Sequence, residues 1–176
     1  MARAWLIHLL AWPAGAYAAL CALAFVFQRD LMYFPDRARE TDLLAQARRA
    51  GLEPWRDSAG RLRGWKSLHP GGGSAGRVLA FHGNAGCAVQ RSYLARGLQA
   101  PAVAERWDVY LLEYPGYGAR PGSPSEAALV DAGLEALDAL GAEGRRRTIL
   151  LGESLGSGVR PAAPPCGRAR WTGSSW

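Results

Sequence analysis

Thr148-Ile149-Leu150-Leu151-Gly152-Glu153-Ser154-Leu155-Gly156 decides the fold. An apolar run of strand length passes directly into G-x-S-x-G, the pattern of a buried strand that turns sharply into a helix. Glycines flank such a turn because the backbone reverses where a Cβ would clash. The serine hydroxyl is then lifted above the end of the sheet. Ser154 is therefore the candidate nucleophile, with Gly152 and Gly156 supporting the turn. In a chain with 22 glycines the five-residue pattern carries little alone, so its neighbours must be read with it.

Two further strand-then-glycine units precede it. Arg77-Val78-Leu79-Ala80 runs into Phe81-His82-Gly83-Asn84-Ala85-Gly86. A histidine-glycine pair and small residues just past a buried strand set backbone N–H groups where charge develops on an acyl oxygen. The N–H groups of Asn84 and Leu155 are the candidate oxyanion donors, with His82 and Gly83 shaping the loop. Val109-Tyr110-Leu111-Leu112 then breaks into Glu113-Tyr114-Pro115-Gly116-Tyr117-Gly118, and Ser123-Pro124-Ser125-Glu126 reads as a capping box with proline at the first helical position. Helices are expected at 88–99 and 124–140. The second would turn Ala128, Leu129, Ala132, Leu134, Leu137 and Leu140 to the sheet.

This order of motifs, from about Gln28 to Gly158, resembles the α/β-hydrolase superfamily, and within it the Bem46-like membrane-anchored serine hydrolases. The resemblance includes Gln28-Arg29-Asp30-Leu31-Met32-Tyr33-Phe34-Pro35 just after the apolar N-terminal segment. It implies an α/β fold: the N-terminal part of an α/β-hydrolase, a mostly parallel sheet with flanking helices, behind one transmembrane helix. It also implies hydrolysis of ester, thioester or related acyl bonds, in a small molecule or lipid, by a Ser-Asp-His triad. No metal or cofactor is expected. A phosphate loop at Gly83 to Gly86 is disfavoured because no Lys-Ser/Thr follows the glycines.

In this fold the acid and base follow the nucleophile in chain order. Residues 155–176 contain no Asp, Glu or His. The three histidines, His8, His69 and His82, all lie upstream, and His82 reads as a ring that fixes the loop backbone. Asp108 and Asp131 read as a solvated strand edge and a helix-face charge. A serine without its base is a weak nucleophile. The chain is thus expected to be inactive as it stands; the alternative is a non-catalytic fragment or pseudogene product. Residues 160–176 show neither helical nor strand periodicity. Back-translated with TCN codons for both serines and read one base out of register, Trp171 to Trp176 becomes an aliphatic residue, Asp, then Gly, Arg or Trp, and three apolar residues, as a further buried strand would be. A frame change near Val159 is expected on that ground.

The remaining composition narrows the class. Ala4 through Phe27 carries no charged side chain apart from His8, long enough to cross a bilayer. A single-pass anchor over residues 1–28 is expected, with the competing reading a cleaved signal segment ending near Ala22-Leu23-Ala24. Arg3 on one flank, against Arg29, Arg37 and Arg39 on the other, leaves the side open while leaning to a cytoplasmic domain. The division is then an anchor over 1–28, a partial hydrolase domain over 29–159, and an irregular tail over 160–176. The formal charge of +6 comes with no nucleic-acid motif. Arg145-Arg146-Arg147 reads as solvated loop, and Cys21, Cys87 and Cys166 make no disulfide framework. Thr41 to Gly51 reads as a short amphipathic helix, Leu62 to Leu68 as an antiparallel strand with one wet face, and Gly71 to Gly76 as a hairpin-type loop.

Overall fold

A computed structural model describes residues 2–71 and 73–159, with side chains from Ala11 onward. Arg3, Trp5 and His8 lie outside the described side chains, and the expected tail at 160–176, with Cys166, lies outside the described residues. The chain forms two units, one ending at Phe34 and one beginning at Pro35. The first is a single helix, α1 (Ala2–Met32), with Pro13 inside it. Its stretch Ala11–Met32 is long and apolar enough to cross a membrane, and Trp12, Tyr17, Leu23 and Phe25 stand exposed along it. A two-residue strand, β1 (Phe34–Pro35), spans the boundary.

In the second unit, α2 (Glu40–Arg49) has Glu40 and Asp42 in its first turn and Arg48 and Arg49 in its last, each opposite in sign to the helix-end dipole it faces. It buries Leu43 and Ala47. Next come β2 (Glu53–Arg56), β3 (Leu62–Ser67), β4 (Gly76–Phe81), β5 (Ala85–Gly86), a 3-10 turn at Ala88–Arg91 and α3 (Ser92–Leu98). The last elements are β6 (Trp107–Leu112), α4 (Glu126–Ala142), β7 (Thr148–Gly152) and α5 (Leu155–Val159). Five strands make one sheet in the order β2-β3-β6-β4-β7. β2 and β3 are antiparallel, β3 runs antiparallel to β6, and β4 lies parallel between β6 and β7. Val78 on β4 is level with Val109 on one side and Ile149 on the other.

Strand alternation sorts the core into two faces. Val78, Ala80, Val109 and Leu111 join Leu43, Ala47, Val89 and Ala95 in one apolar cluster, so α2, the 3-10 turn and α3 cover that face. Arg77 and Tyr110 point the other way, onto the C-terminal end of α4. The Arg77 guanidinium donates to the Leu140 and Gly144 carbonyls there, and Tyr110 Oη to Glu143 at 3.2 Å. A buried arginine thus satisfies helix-end carbonyls that would otherwise lack partners.

Several expectations from sequence need correction. Ser125, not Ser123, caps α4: its hydroxyl accepts the Ala128 N–H at 3.2 Å, which leaves Pro124 before the cap rather than at the first helical position. Leu134 is turned out to solvent, while Ala136 takes the buried place. The glycine-rich stretch from Gly71 is no hairpin, because it joins β3 to β4 and β6 lies between them. β3 has no clean wet face, since Leu62, Gly64 and Trp65 are all buried. Helix 88–99 opens as a 3-10 turn before α3.

Candidate active site

β7 ends at Gly152, and the chain turns into α5 through Glu153 and Ser154. Ser154 has φ +50°, the sole non-glycine in the left-handed region among the described residues. That conformation costs an L-residue roughly 1–2 kcal/mol and persists only where the surroundings impose it. Here they do. A Cβ on Gly156 would lie 2.2 Å from the Phe81 carbonyl oxygen, and one on Gly152 would lie 2.7 Å from the backbone of Gly156 and Ser157. Both flanking glycines therefore admit backbone where no side chain fits. The Glu153 N–H donates to Phe81 O at 2.9 Å, tying the turn to the end of β4. Ser154 itself is exposed, and none of the described residues hydrogen-bonds its hydroxyl.

The loop after β4 packs against this turn and is held from two sides. His82 is buried; its Nδ1 donates to Gly83 O at 2.7 Å, and its Nε2 stands 3.4 Å from Glu113 Oε1. The ring lies on Tyr114 at a centroid distance of 4.2 Å and against Tyr117 at 5.2 Å. Tyr114 Oη donates to His82 O at 2.9 Å, and Tyr117 Oη to Asn84 Oδ1 at 2.9 Å. Two phenols from the β6–α4 loop thus pin both ends of His82-Gly83-Asn84. Burial pushes the Tyr114 hydroxyl well above the usual tyrosine range, so it stays a donor.

Glu113 is the group sequence reasoning passed over. It is fully buried, accepts the Ala88 N–H at 3.0 Å through Oε1, and has Gly118 folded over Oε2 so closely that a Cβ there would lie 2.4 Å away. The signal was present: an acid directly after the apolar run Val109-Tyr110-Leu111-Leu112, with Pro115 and Gly116 just beyond it. Residues 36–38 complete the support, with Asp36 N–H on Gly86 O at 3.2 Å and Ala38 N–H on Gly118 O at 3.1 Å.

A second unforeseen contact joins the two halves of the site. Arg91 grips the Glu153 carboxylate with two bonds, Nη2 to Oε1 at 2.9 Å and Nε to Oε2 at 3.2 Å, while Tyr93 Oη adds a third at 3.1 Å. The Arg91 hydrogen bond holds the Glu153 carboxyl below its usual range. Gly83 lies beside the same carboxylate, where a Cβ would come within 3.1 Å of Oε1. The residue before Ser154 is thereby locked to the loop of the candidate oxyanion donors.

Other sequence candidates fall elsewhere. Asp108 is not a solvated edge: it is buried and accepts His69 N–H and Arg146 Nη1 at 2.8 Å and Ser74 Oγ at 2.9 Å. Burial works against its charge, but these donors outweigh it and hold the carboxyl below its usual range. Asp131 is exposed on α4. Arg147 pairs with Glu105 at 3.1 Å and lies over Trp107. Cys87 is buried with its thiol pushed up to about 12, chiefly by burial, so it packs rather than reacts. Among the described residues no cluster of His, Cys, Asp and Glu could hold a metal.

Two uncharacterized proteins of Mycobacterium tuberculosis, from strains CDC 1551 / Oshkosh and ATCC 25618 / H37Rv, are each 34% identical to the chain over 158 residues. The match covers 84% of this chain and 54% of each relative, so the chain spans about half the length of the curated relatives it matches. Among solved structures, a protein of Pseudomonas aeruginosa described as a candidate epoxide hydrolase superposes with a TM-score of 0.42 at 21% identity, over 62% of this chain and 35% of its own. The family profile described as "Alpha/beta hydrolase family" matches residues 68–169, which hold β4 to β7, the two loops and the turn at Ser154. This chain belongs to the alpha/beta hydrolase family.

Proposed function

We propose that this is a serine-hydrolase domain of the Bem46-like type, directed at ester, thioester or related acyl bonds. The observation that carries the reading is Ser154 at φ +50°, raised on a turn whose flanking glycines admit no side chain and clamped beside the His82-Gly83-Asn84 loop. In this reading the Ser154 oxygen attacks the acyl carbonyl carbon. The backbone N–H groups of Asn84 and Leu155 meet the oxyanion, and the alcohol or thiol departs from the tetrahedral intermediate. The hydroxyl proton needs a base. Residues 155–176 hold no Asp, Glu or His, and the His82 nitrogens face Gly83 O and Glu113. The 176-residue chain is therefore expected to lack turnover. The same observation favours a second reading, a non-catalytic fragment.

Residues 1–28 act in this proposal as a membrane anchor, which suits a lipid-like or acylated small-molecule substrate. The test is active-site labelling of the full chain in mild detergent with a fluorophosphonate, followed by peptide mapping. Slow labelling at Ser154, absent in Ser154→Ala and accompanied by no steady-state esterase turnover, is the expected outcome. Labelling spread over other serines would remove Ser154 as the nucleophile. Turnover lost in Ser154→Ala would show instead that a base lies upstream.

A further inference from the structure

A cavity of about 180 Å³ opens at the other side of the same sheet end, where the β2–β3 turn meets the β6–α4 loop. Arg61, Arg63 and Arg120 line it, with Asp57 and Glu135. The guanidiniums come from two places in the chain, Arg61 and Arg63 at the start of β3 and Arg120 in the β6–α4 loop, so the fold brings the third to the other two.

The two acids are already committed. Asp57 closes the β2–β3 turn, its Oδ1 accepting the N–H groups of Ala59 and Arg61 at 2.9 Å and its Oδ2 accepting Arg61 Nε at 2.7 Å. Glu135 on α4 takes Arg120 Nη2 at 3.3 Å, and Arg120 Nη1 donates to Glu113 O at 2.8 Å. Arg63 has no carboxylate partner among the described residues. Its guanidinium carbon lies over the Trp55 ring at 5.2 Å from the centroid, a contact that takes up no N–H donor and so leaves the donors for a planar or tetrahedral oxyanion. Three guanidiniums against two carboxylates leave a surplus positive charge in a recess. Arg120 registers the crowding: burial first, then Arg63 and Arg61, lower its proton affinity, with Glu135 opposing them.

We propose that this recess is a binding site for the anionic group of a small molecule, a phosphate or a carboxylate, held bidentately by Arg63 with Arg61 and Arg120 alongside. The site is separate from Ser154. Arg63 lies on β3, three strands from β7 in the sheet, which is about 14 Å at the usual interstrand spacing. The proposal does not depend on the serine-hydrolase reading.

The experiment is calorimetric titration of the full chain in uncharged detergent with inorganic phosphate and, in parallel, acetate, with chloride holding the ionic strength constant. Saturable binding of at least one ion is expected, and the tighter of the two names the headgroup. Arg63→Gln should weaken it roughly tenfold or more, while Arg63→Lys should weaken it less, because charge survives but the fork is lost. Ser154→Ala should leave it unchanged. A thermal transition of Arg63→Gln in chloride matching that of the unaltered chain guards against misfolding, with Arg63→Lys as the readout otherwise. No saturable binding of either ion, unchanged affinity in the Arg63 variants, or loss of binding in Ser154→Ala would overturn the proposal.

Discussion

β6 and β7 are both parallel to β4 and both hydrogen-bonded along its length, yet their surroundings differ. Every residue of β6 is buried between β3, β4, the 3-10 turn and the helices, whereas every residue of β7 is only half-buried. Among the described residues β7 pairs on one side alone. Burial thus follows the number of neighbours rather than the residue types. The strand that carries the candidate nucleophile is the less protected of the two, and the Arg91–Glu153 clamp and the Phe81–Glu153 bond tie its end to the neighbouring elements.

The sharpest test of that contrast is truncation on each strand. Leu111→Ala should cost about 3 kcal/mol or more, since Leu111 is 1% exposed in the main cluster, while Ile149→Ala should cost less than half as much. Denaturant unfolding of the full chain in detergent measures both. Equal costs would mean that residues beyond those described cover β7. A smaller effect separates two glycines. Gly156→Ala should destabilise by about 1–3 kcal/mol and abolish fluorophosphonate labelling, because its Cβ meets Phe81 O at 2.2 Å. Gly97→Ala, on the open side of α3, should stabilise by about 0.5–1 kcal/mol and leave labelling intact. If Gly156→Ala labels normally, steric fit does not hold the turn.

The smallest expected effect concerns acid. The Glu153 carboxyl is held down by Arg91, so its contribution is complete above the ordinary glutamate value of about 4.3 and is lost as pH falls through the lower folded value. With Glu153 partly exposed, the pair should be worth less than about 1 kcal/mol. Arg91→Ala should lower stability at pH 7 by that amount and converge on the unaltered chain at pH 3. A difference that persists at pH 3 would make Arg91 a packing residue rather than an electrostatic one.

How much of this could be read beforehand depended on the kind of interaction. β4, β6 and β7 were legible because a buried parallel strand writes a continuous apolar run and a glycine loop ends it. β2 was not, since Glu53-Pro54-Trp55-Arg56 offers one apolar side chain and no alternation. The elbow and the His82-Gly83-Asn84 loop were legible as motifs, and they lie side by side. Arg91, Tyr93 and Glu113 were not, because a lone polar residue does not reveal a partner some 60 positions away, or, for Glu113, that it sits in full burial. Asp108 was misjudged for the same reason: its donors come from His69, Ser74 and Arg146 on distant loops.

The left-handed backbone at Ser154 sets a trap for anyone improving this protein by selection on heat resistance alone. Glycine adopts φ +50° at no steric cost, so Ser154→Gly should be among the first substitutions such a screen enriches, with a gain of about 1 kcal/mol. The survivors would be sturdier chains without the hydroxyl. Enrichment of glycine at position 154, in a library scored only for folding, would therefore measure from the outside how much conformational cost the chain tolerates there to keep a serine.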